Sequence, residues 1–320
     1  MKNRRRISIW PCCLLPLLFS VAISAAELPP AETVSALKLL ELHAFTEGIV
    51  FDDMGRGYVS HGDRITQFTM SQHGEILNSR VWATTGEPAG HKILADGTHL
   101  VCDAERHAVL LLAADGTYLR NAADTFDGQR INSPNDLTLD LATGGFYFTN
   151  PGGLGENWRM HTVHYVDETG VTHRCDGEFA GPNGIALSAD GKRLFIAESY
   201  ANRILECTVK SPGKLGERRV FAELPKKGSD QVSNEPDGIC LDVSGNLYVA
   251  HYGMKEVQVL DPNGKLIRRY PAGNLTASNV AFGGPNRDQL FITGGLTDEA
   301  GPGGLFRLDL GVKGSVILPK

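Results

Sequence analysis

The chain has no excess of basic residues: 31 Lys and Arg stand against 37 Asp and Glu, a formal net charge of -6. Proteins that grip nucleic acid or an anionic membrane surface need a basic face, so neither partner is expected. Cysteine is scarce, six in 320 residues, and no Cys-x-x-Cys pair occurs, so no zinc-finger type of site is expected. There is no Gly-x-Ser-x-Gly elbow and no His-Glu-x-x-His, so neither that serine esterase nor that zinc protease is supported. No Gly-x-Gly-x-x-Gly opens a helix, which leaves a dinucleotide site unsupported. Almost no segment reads as a capped amphipathic helix. What the chain does have is glycine, 37 residues or about 12% against a usual ~7%. With no Gly-X-Y period, those glycines serve tight turns. Hydrophobic residues make up 42%, enough for a substantial core.

The first 26 residues read as a targeting segment. Lys2, Arg4, Arg5 and Arg6 form a basic start, Ile7 to Ile23 is apolar, and Ser24-Ala25-Ala26 offers small residues before Glu27. That is the pattern of a secretory signal peptide, and it predicts an exported protein, periplasmic or secreted. The alternative, a membrane anchor, is disfavoured by Pro11 and Pro16 and by the shortness of the run. No later run approaches the ~20 residues of a span, so no stable membrane insertion is expected after cleavage. Residues 27–320 would then form one domain with 27 basic and 37 acidic residues, a charge of -10. Pairing among Cys102, Cys175, Cys207 and Cys240 stays open, because export permits disulfides without dictating them.

That domain repeats one phrase: a polar residue, an alternating apolar strand, a turn, and a second strand. Glu47-Gly48-Ile49-Val50-Phe51-Asp52, Asn135-Asp136-Leu137-Thr138-Leu139-Asp140, Asn183-Gly184-Ile185-Ala186-Leu187-Ser188 and Asp237-Gly238-Ile239-Cys240-Leu241-Asp242 are the clear copies. Apolar side chains at the third and fifth positions give the period of two expected of a half-buried strand. Weaker copies start at His91 and Ser278, so the starts lie 44, 44, 48, 54 and 41 residues apart. A strand-built repeat of about 40–45 residues predicts a β-propeller blade. Six copies predict an all-β, six-bladed β-propeller, with Ala36 to Leu42 as the outer strand that closes the ring. A β-sandwich would not explain six copies of one phrase.

In a propeller the first strand of each blade lines the central channel. The repeat starts would therefore gather at one channel mouth: Glu47, His91, Asn135, Asn183, Asp237 and Ser278. The residues that end the second strands return to the same mouth: His61, Asp103, Asn150, Glu198, His251 and Gly294. Singly these residues mean little, since Pro182-Asn183-Gly184 and Pro236-Asp237-Gly238 are ordinary turn tripeptides. Together, two carboxylates and two amide oxygens converge from four blades. Hard oxygen donors of this kind suit a divalent cation, Ca²⁺ above all, in the central channel. Glu47, Asn135, Asn183 and Asp237 are the expected metal ligands. His91, Asp103, Asn150 and His251 are candidate substrate contacts.

These phrases resemble the regucalcin/gluconolactonase family of six-bladed propellers. The resemblance is carried by Glu47-Gly48, by Gly128 to Asp136 with its Ser133-Pro134-Asn135-Asp136, by Gly181 to Ser188, by Pro236-Asp237-Gly238 and by Ala281 to Gly284. It covers about residues 40–310. It implies a divalent metal, often Ca²⁺, held by Glu47, Asn183 and Asp237, with Asn135 binding metal or substrate. It implies hydrolysis of sugar lactones, with a small-molecule lactone as partner. For that reaction Asp237 is the expected general base toward water, with direct attack by its carboxylate the less favoured variant. Two places depart from the family pattern: Thr149-Asn150-Pro151 stands where Thr-Asp-Pro is usual, and Gly152-Gly153-Leu154-Gly155 where an aromatic loop residue is common. A Ca²⁺ phosphotriesterase on the same scaffold and a non-catalytic binding propeller of the NHL type are the alternatives.

Overall fold

The computed structural model describes residues 27–152, 161–227, 233–297 and 300–315. The basic and apolar segment 1–26 and the Gly153-Leu154-Gly155 departure lie outside them. Six four-stranded antiparallel sheets follow one another along the chain, each a blade. Their innermost strands are Thr46–Phe51, Pro88–Ile93, Leu137–Leu139, Pro182–Leu187, Glu235–Leu241 and Thr276–Gly283. The sixth blade takes its outermost strand from the other end of the chain. Leu37–Leu42 pairs antiparallel with Gly303–Asp309, and this closes the ring as the repeat predicted.

The repeated phrase explains each blade. The aspartate that ends a first strand folds back on its own hairpin. Asp52 accepts from the N–H groups of Met54 and Arg56 and from the Tyr58 hydroxyl, and Asp242 does the same with Ser244, Asn246 and Tyr248. This is the Asx turn that short acidic side chains favour. The alternating apolar residues then form six core clusters, each wedged between two neighbouring blades. In one, Val50 and Tyr58 of the first blade meet Ile93 and Val101 of the second. In another, Phe51 and Val59 meet Ala281 and Phe291 of the sixth. The core is therefore a ring of seams around an axis, and the axis itself is left to whatever the innermost strands present. All four cysteines of the domain carry free thiols.

Candidate metal centre

The innermost strands share one irregularity. Pairing with the second strand slips by one residue between Thr46 and Ile49, Pro88 and His91, Pro182 and Ile185, Pro236 and Ile239, and Ala277 and Val280. In the third blade Asn135 donates its N–H to the Thr149 carbonyl, and Asp136 accepts from the Thr149 N–H. A bulge frees one residue from the ladder and re-aims its side chain. Here it does so at one depth in every blade.

Aligned on that bulge, the channel has three levels. The first holds Glu47, Ala89, Asn135, Asn183, Asp237 and Ser278. The second holds Gly48, Gly90, Asp136, Gly184, Gly238 and Asn279. The third, two residues further in, holds Val50, Lys92, Thr138, Ala186, Cys240 and Ala281. The glycines of the second level draw the strands together. A Cβ on Gly184 would stand 2.2 Å from the Asp237 carbonyl oxygen, and one on Gly90 would stand 2.4 Å from Asp136 Oδ1. Hydroxyls lace the blades at this depth: Ser60 donates to the Ala89 carbonyl, Thr149 to that of Asn183, Ser199 to that of Pro236 and Ser278 to that of Thr46.

Glu47, Asn135, Asn183 and Asp237 thus share one level of one channel. Asp237 is buried and the other three are partly open. The side-chain oxygen of Asn183 is buried without a hydrogen-bond partner. A buried amide oxygen of this kind is costly unless a donor or a cation meets it. Beside two carboxylates and a second amide, that orphaned acceptor fits a hard divalent cation. Among the described residues no three His, Cys, Asp or Glu side chains cluster as a metal site, and two of the four ring residues are amides. Below the ring, Asp136 is 2% exposed and lies 3.8 Å from the Lys92 ammonium. Burial pushes its carboxyl up, and Lys92 and the N–H groups of Leu137 and Ile185 oppose that.

The structure moves His91 away from the mouth. The register puts Ala89 at the ring, and His91 two residues deeper, level with Ile49, Ile185 and Ile239. There it is fully buried, its Nε2 2.8 Å from His99 Nδ1 and its ring against Tyr58 and Trp82. Burial holds both imidazoles neutral, His99 at about 4 and His91 well below its ordinary value. The apolar pair Ile93 and Ala95 fits the repeat two residues out of register, because a slip of two leaves strand alternation unchanged. A better signal lay in the sequence: Glu87-Pro88-Ala89-Gly90 matches Glu235-Pro236-Asp237-Gly238.

Asp103, Asn150 and His251 do lie at the mouth end of their second strands, but they make hydrogen bonds within the protein, and only His251 Nδ1 among them is a buried atom left without a partner. Asp103 is fully buried and accepts from the N–H groups of Gly86, Glu87 and Arg106. Asn150 accepts from Ser133 N–H and donates to Thr162 Oγ1. Glu198, the fourth-blade counterpart, accepts from Ala180 N–H. These residues clamp the loop that leads into their own first strand. His251 pairs through Nε2 with Asn202 Oδ1 at 2.8 Å, and burial lowers its pKa to about 4. Lys92 and Asp136 are the channel residues that motif reading passed over.

The far end of the channel opens into a cavity of about 130 Å³ between Leu139, Leu187, Cys240 and Leu241. It touches none of the four ring residues, and its walls mix apolar residues with Lys92, Thr138, Asp140, Ser188 and Asp190. Chain residues near the C-terminus cross that end, with Ser315 N–H donating to the Leu241 carbonyl. Burial pushes the Cys240 thiol up, so it stays protonated and inert.

A six-bladed propeller with an oxygen-donor ring at one channel mouth is the class of protein these features define. The family profile described as "SMP-30/Gluconolactonase/LRE-like region" matches residues 46–295, and the chain belongs to that family. A diisopropyl-fluorophosphatase of Loligo vulgaris is 26% identical over 277 residues, covering 77% of this chain and 84% of the relative. Lactonase drp35 of Staphylococcus aureus is 28% identical over 275 residues, covering 82% and 81%. Among solved structures, a gluconolactonase from Xanthomonas campestris superposes with a TM-score of 0.73 at 24% identity, covering 90% of this chain and 99% of that one. A calcium-binding regucalcin from Agrobacterium tumefaciens gives 0.73 at 20% identity, covering 87% and 95%. At these identities the solved structures bear on the fold alone.

Proposed function

We propose that this chain is a Ca²⁺-dependent hydrolase that opens sugar lactones at the ringed mouth of its channel. The observation that carries the reading is the orphaned Asn183 oxygen, set level with Glu47, Asn135 and Asp237. The lactonase and gluconolactonase relatives support the substrate class. The calcium-binding regucalcin supports the ion.

Glu47, Asn135, Asn183 and Asp237 would hold the cation, and the two carboxylates would balance its charge. When bound, such an ion is a Lewis acid for the ester carbonyl and for the charge that develops on its oxygen. The chain supplies the rest. The Asp237 carboxylate takes the proton of the attacking water as general base. Asn135 and Asn183 orient the ester with their amide N–H groups. The second-level glycines and the hydroxyl latches keep the four side chains at one depth, the preorganisation on which such catalysis depends.

The diisopropyl-fluorophosphatase relative favours a second reading, hydrolysis at phosphorus by the same donor set. The test is one assay. The purified protein is given a panel of aldono- and γ-lactones and diisopropyl fluorophosphate, with calcium, with chelator, and with calcium restored. Lactone turnover that is lost and regained supports the proposal. Turnover of the phosphofluoridate alone transfers it to the second reading. No turnover and no calorimetric metal binding moves a non-catalytic binding propeller to first place. We also propose export, on the basic and apolar pattern of residues 1–26; N-terminal sequencing of protein recovered outside the cytoplasm should begin near Glu27.

A further inference from the structure

The channel charges can be summed by level. The first level carries two negative charges, Glu47 and Asp237. The second carries one, Asp136, wedged against Gly90 and accepting from the N–H groups of Leu137 and Ile185. The third level is Val50, Thr138, Ala186, Cys240 and Ala281, all uncharged, and Lys92. The Lys92 stem is largely buried, at 14% exposure, and its ammonium rises to 3.8 Å from Asp136 Oδ1. It stands between the level of Asp136 and the far cavity, whose lining it joins. A lysine in a channel-facing strand of small residues has no packing reason to be charged. An isolated buried charge of either sign is costly, and this pair cancels at close range.

We infer that Lys92 is the channel's resident cation, a positioning residue that neutralises Asp136 and so leaves the ring a net charge of -2, matched to a divalent ion. The inference rests on the metal reading of Glu47 and Asp237. Without the ammonium, the three carboxylates would present -3 and favour a trivalent ion. With neither Lys92 nor Asp136 charged, the balance would return to -2. A purely structural ion pair predicts something else: losing either partner loosens the ring and weakens every cation alike.

The test is titration calorimetry of the whole protein with Ca²⁺ and, separately, Tb³⁺, on wild type, Lys92→Met and Lys92→Met/Asp136→Asn. The expected result is a shift of about tenfold or more in the Tb³⁺ to Ca²⁺ affinity ratio for Lys92→Met, in favour of Tb³⁺, as one extra charge in a partly buried channel requires. The double variant should return to within about threefold of the wild-type ratio. It leaves no unpaired charge, so it tests the inference even where Lys92→Met folds poorly. A Lys92→Met ratio equal to wild type, or a double variant that keeps the altered ratio, overturns the inference while leaving the metal site intact. Failure of wild type to bind either ion overturns the metal reading itself, and this inference with it.

Discussion

The Thr149 hydroxyl in the third blade donates to the main-chain carbonyl of Asn183 in the fourth, at 2.8 Å. The same oxygen accepts from the N–H of Asp136 at 3.1 Å. One side chain therefore fixes the backbone of a ring residue in one blade and of the second channel level in another. Thr149→Val keeps the shape and strands both groups. It should lower stability by about 1–3 kcal/mol in thermal or denaturant unfolding. It should also weaken calcium binding several-fold, measured by calorimetry. An unchanged melting temperature would show that the latch carries no strain-bearing role.

Asp237→Asn removes one ring charge and the base, and leaves the volume. The fold should survive by circular dichroism, calcium affinity should fall, and lactone turnover should drop at least about 10²-fold. Normal turnover in that variant removes Asp237 from the proposed chemistry.

Gly184→Ala puts a methyl group against backbone, 2.2 Å from the Asp237 carbonyl oxygen, where no flexible side chain can give way. The neighbouring strand must move. We expect a loss of about 1–3 kcal/mol and a disturbed ring, seen as a lower melting temperature and weaker calcium binding.

Asp103 separates the two roles for the residues that end the second strands. As a loop clamp, Asp103→Ala leaves three N–H groups without their acceptor and should cost about 2–4 kcal/mol, with KM within about twofold of wild type. As a substrate contact it would raise KM and spare stability. Measuring both on one preparation decides.

Histidines set the acid limit. His61, His99, His164 and His251 are pushed by burial from 6.5 to about 4 in the folded protein. In that window the unfolded chain binds the protons and the folded chain does not. Stability should therefore fall as the pH drops from about 6.5 towards 4, by up to about 1.4 kcal/mol per pH unit for each histidine. His251→Gln should flatten that slope. A melting temperature constant between pH 6.5 and 4.5 would contradict it.

The propeller was legible because its signal is repetition: six phrases with the same alternation, the four clear ones each ended by an Asp or Ser that caps its own hairpin. Ring closure by residues 37–42 was legible for a related reason, since one strand was left over at one end of the chain. Glu47, Asn135, Asn183 and Asp237 could be placed at one depth because a clear strand follows each of them. The second blade resisted because its core position is His91 where the others have isoleucine, leucine or valine, so the apolar pattern alone could slide. Asp103 and Asn150 were seen at the right mouth. Their use was invisible, because a carboxylate that binds a loop and one that binds a substrate read alike. Lys92 and Asp136 matter through a distance between blades, and no linear spacing records it.

The clasp between Leu37–Leu42 and Gly303–Asp309 joins residues such as Leu37 and Arg307, 270 positions apart. Until the sixth blade exists, the strand Leu37–Leu42 has an unpaired edge and the first blade exposes the apolar face that it later packs on the sixth. Such edges recruit other strands, and such distant contacts form slowly. Synthesis from one end therefore yields a long-lived open crescent before it yields a ring. A chain cut short anywhere before residue 303 would stay in that state and be prone to stacking on its own kind. Circular permutants that join the natural ends and open a hairpin within one blade would move this vulnerable seam to a different place in the sequence, without removing it.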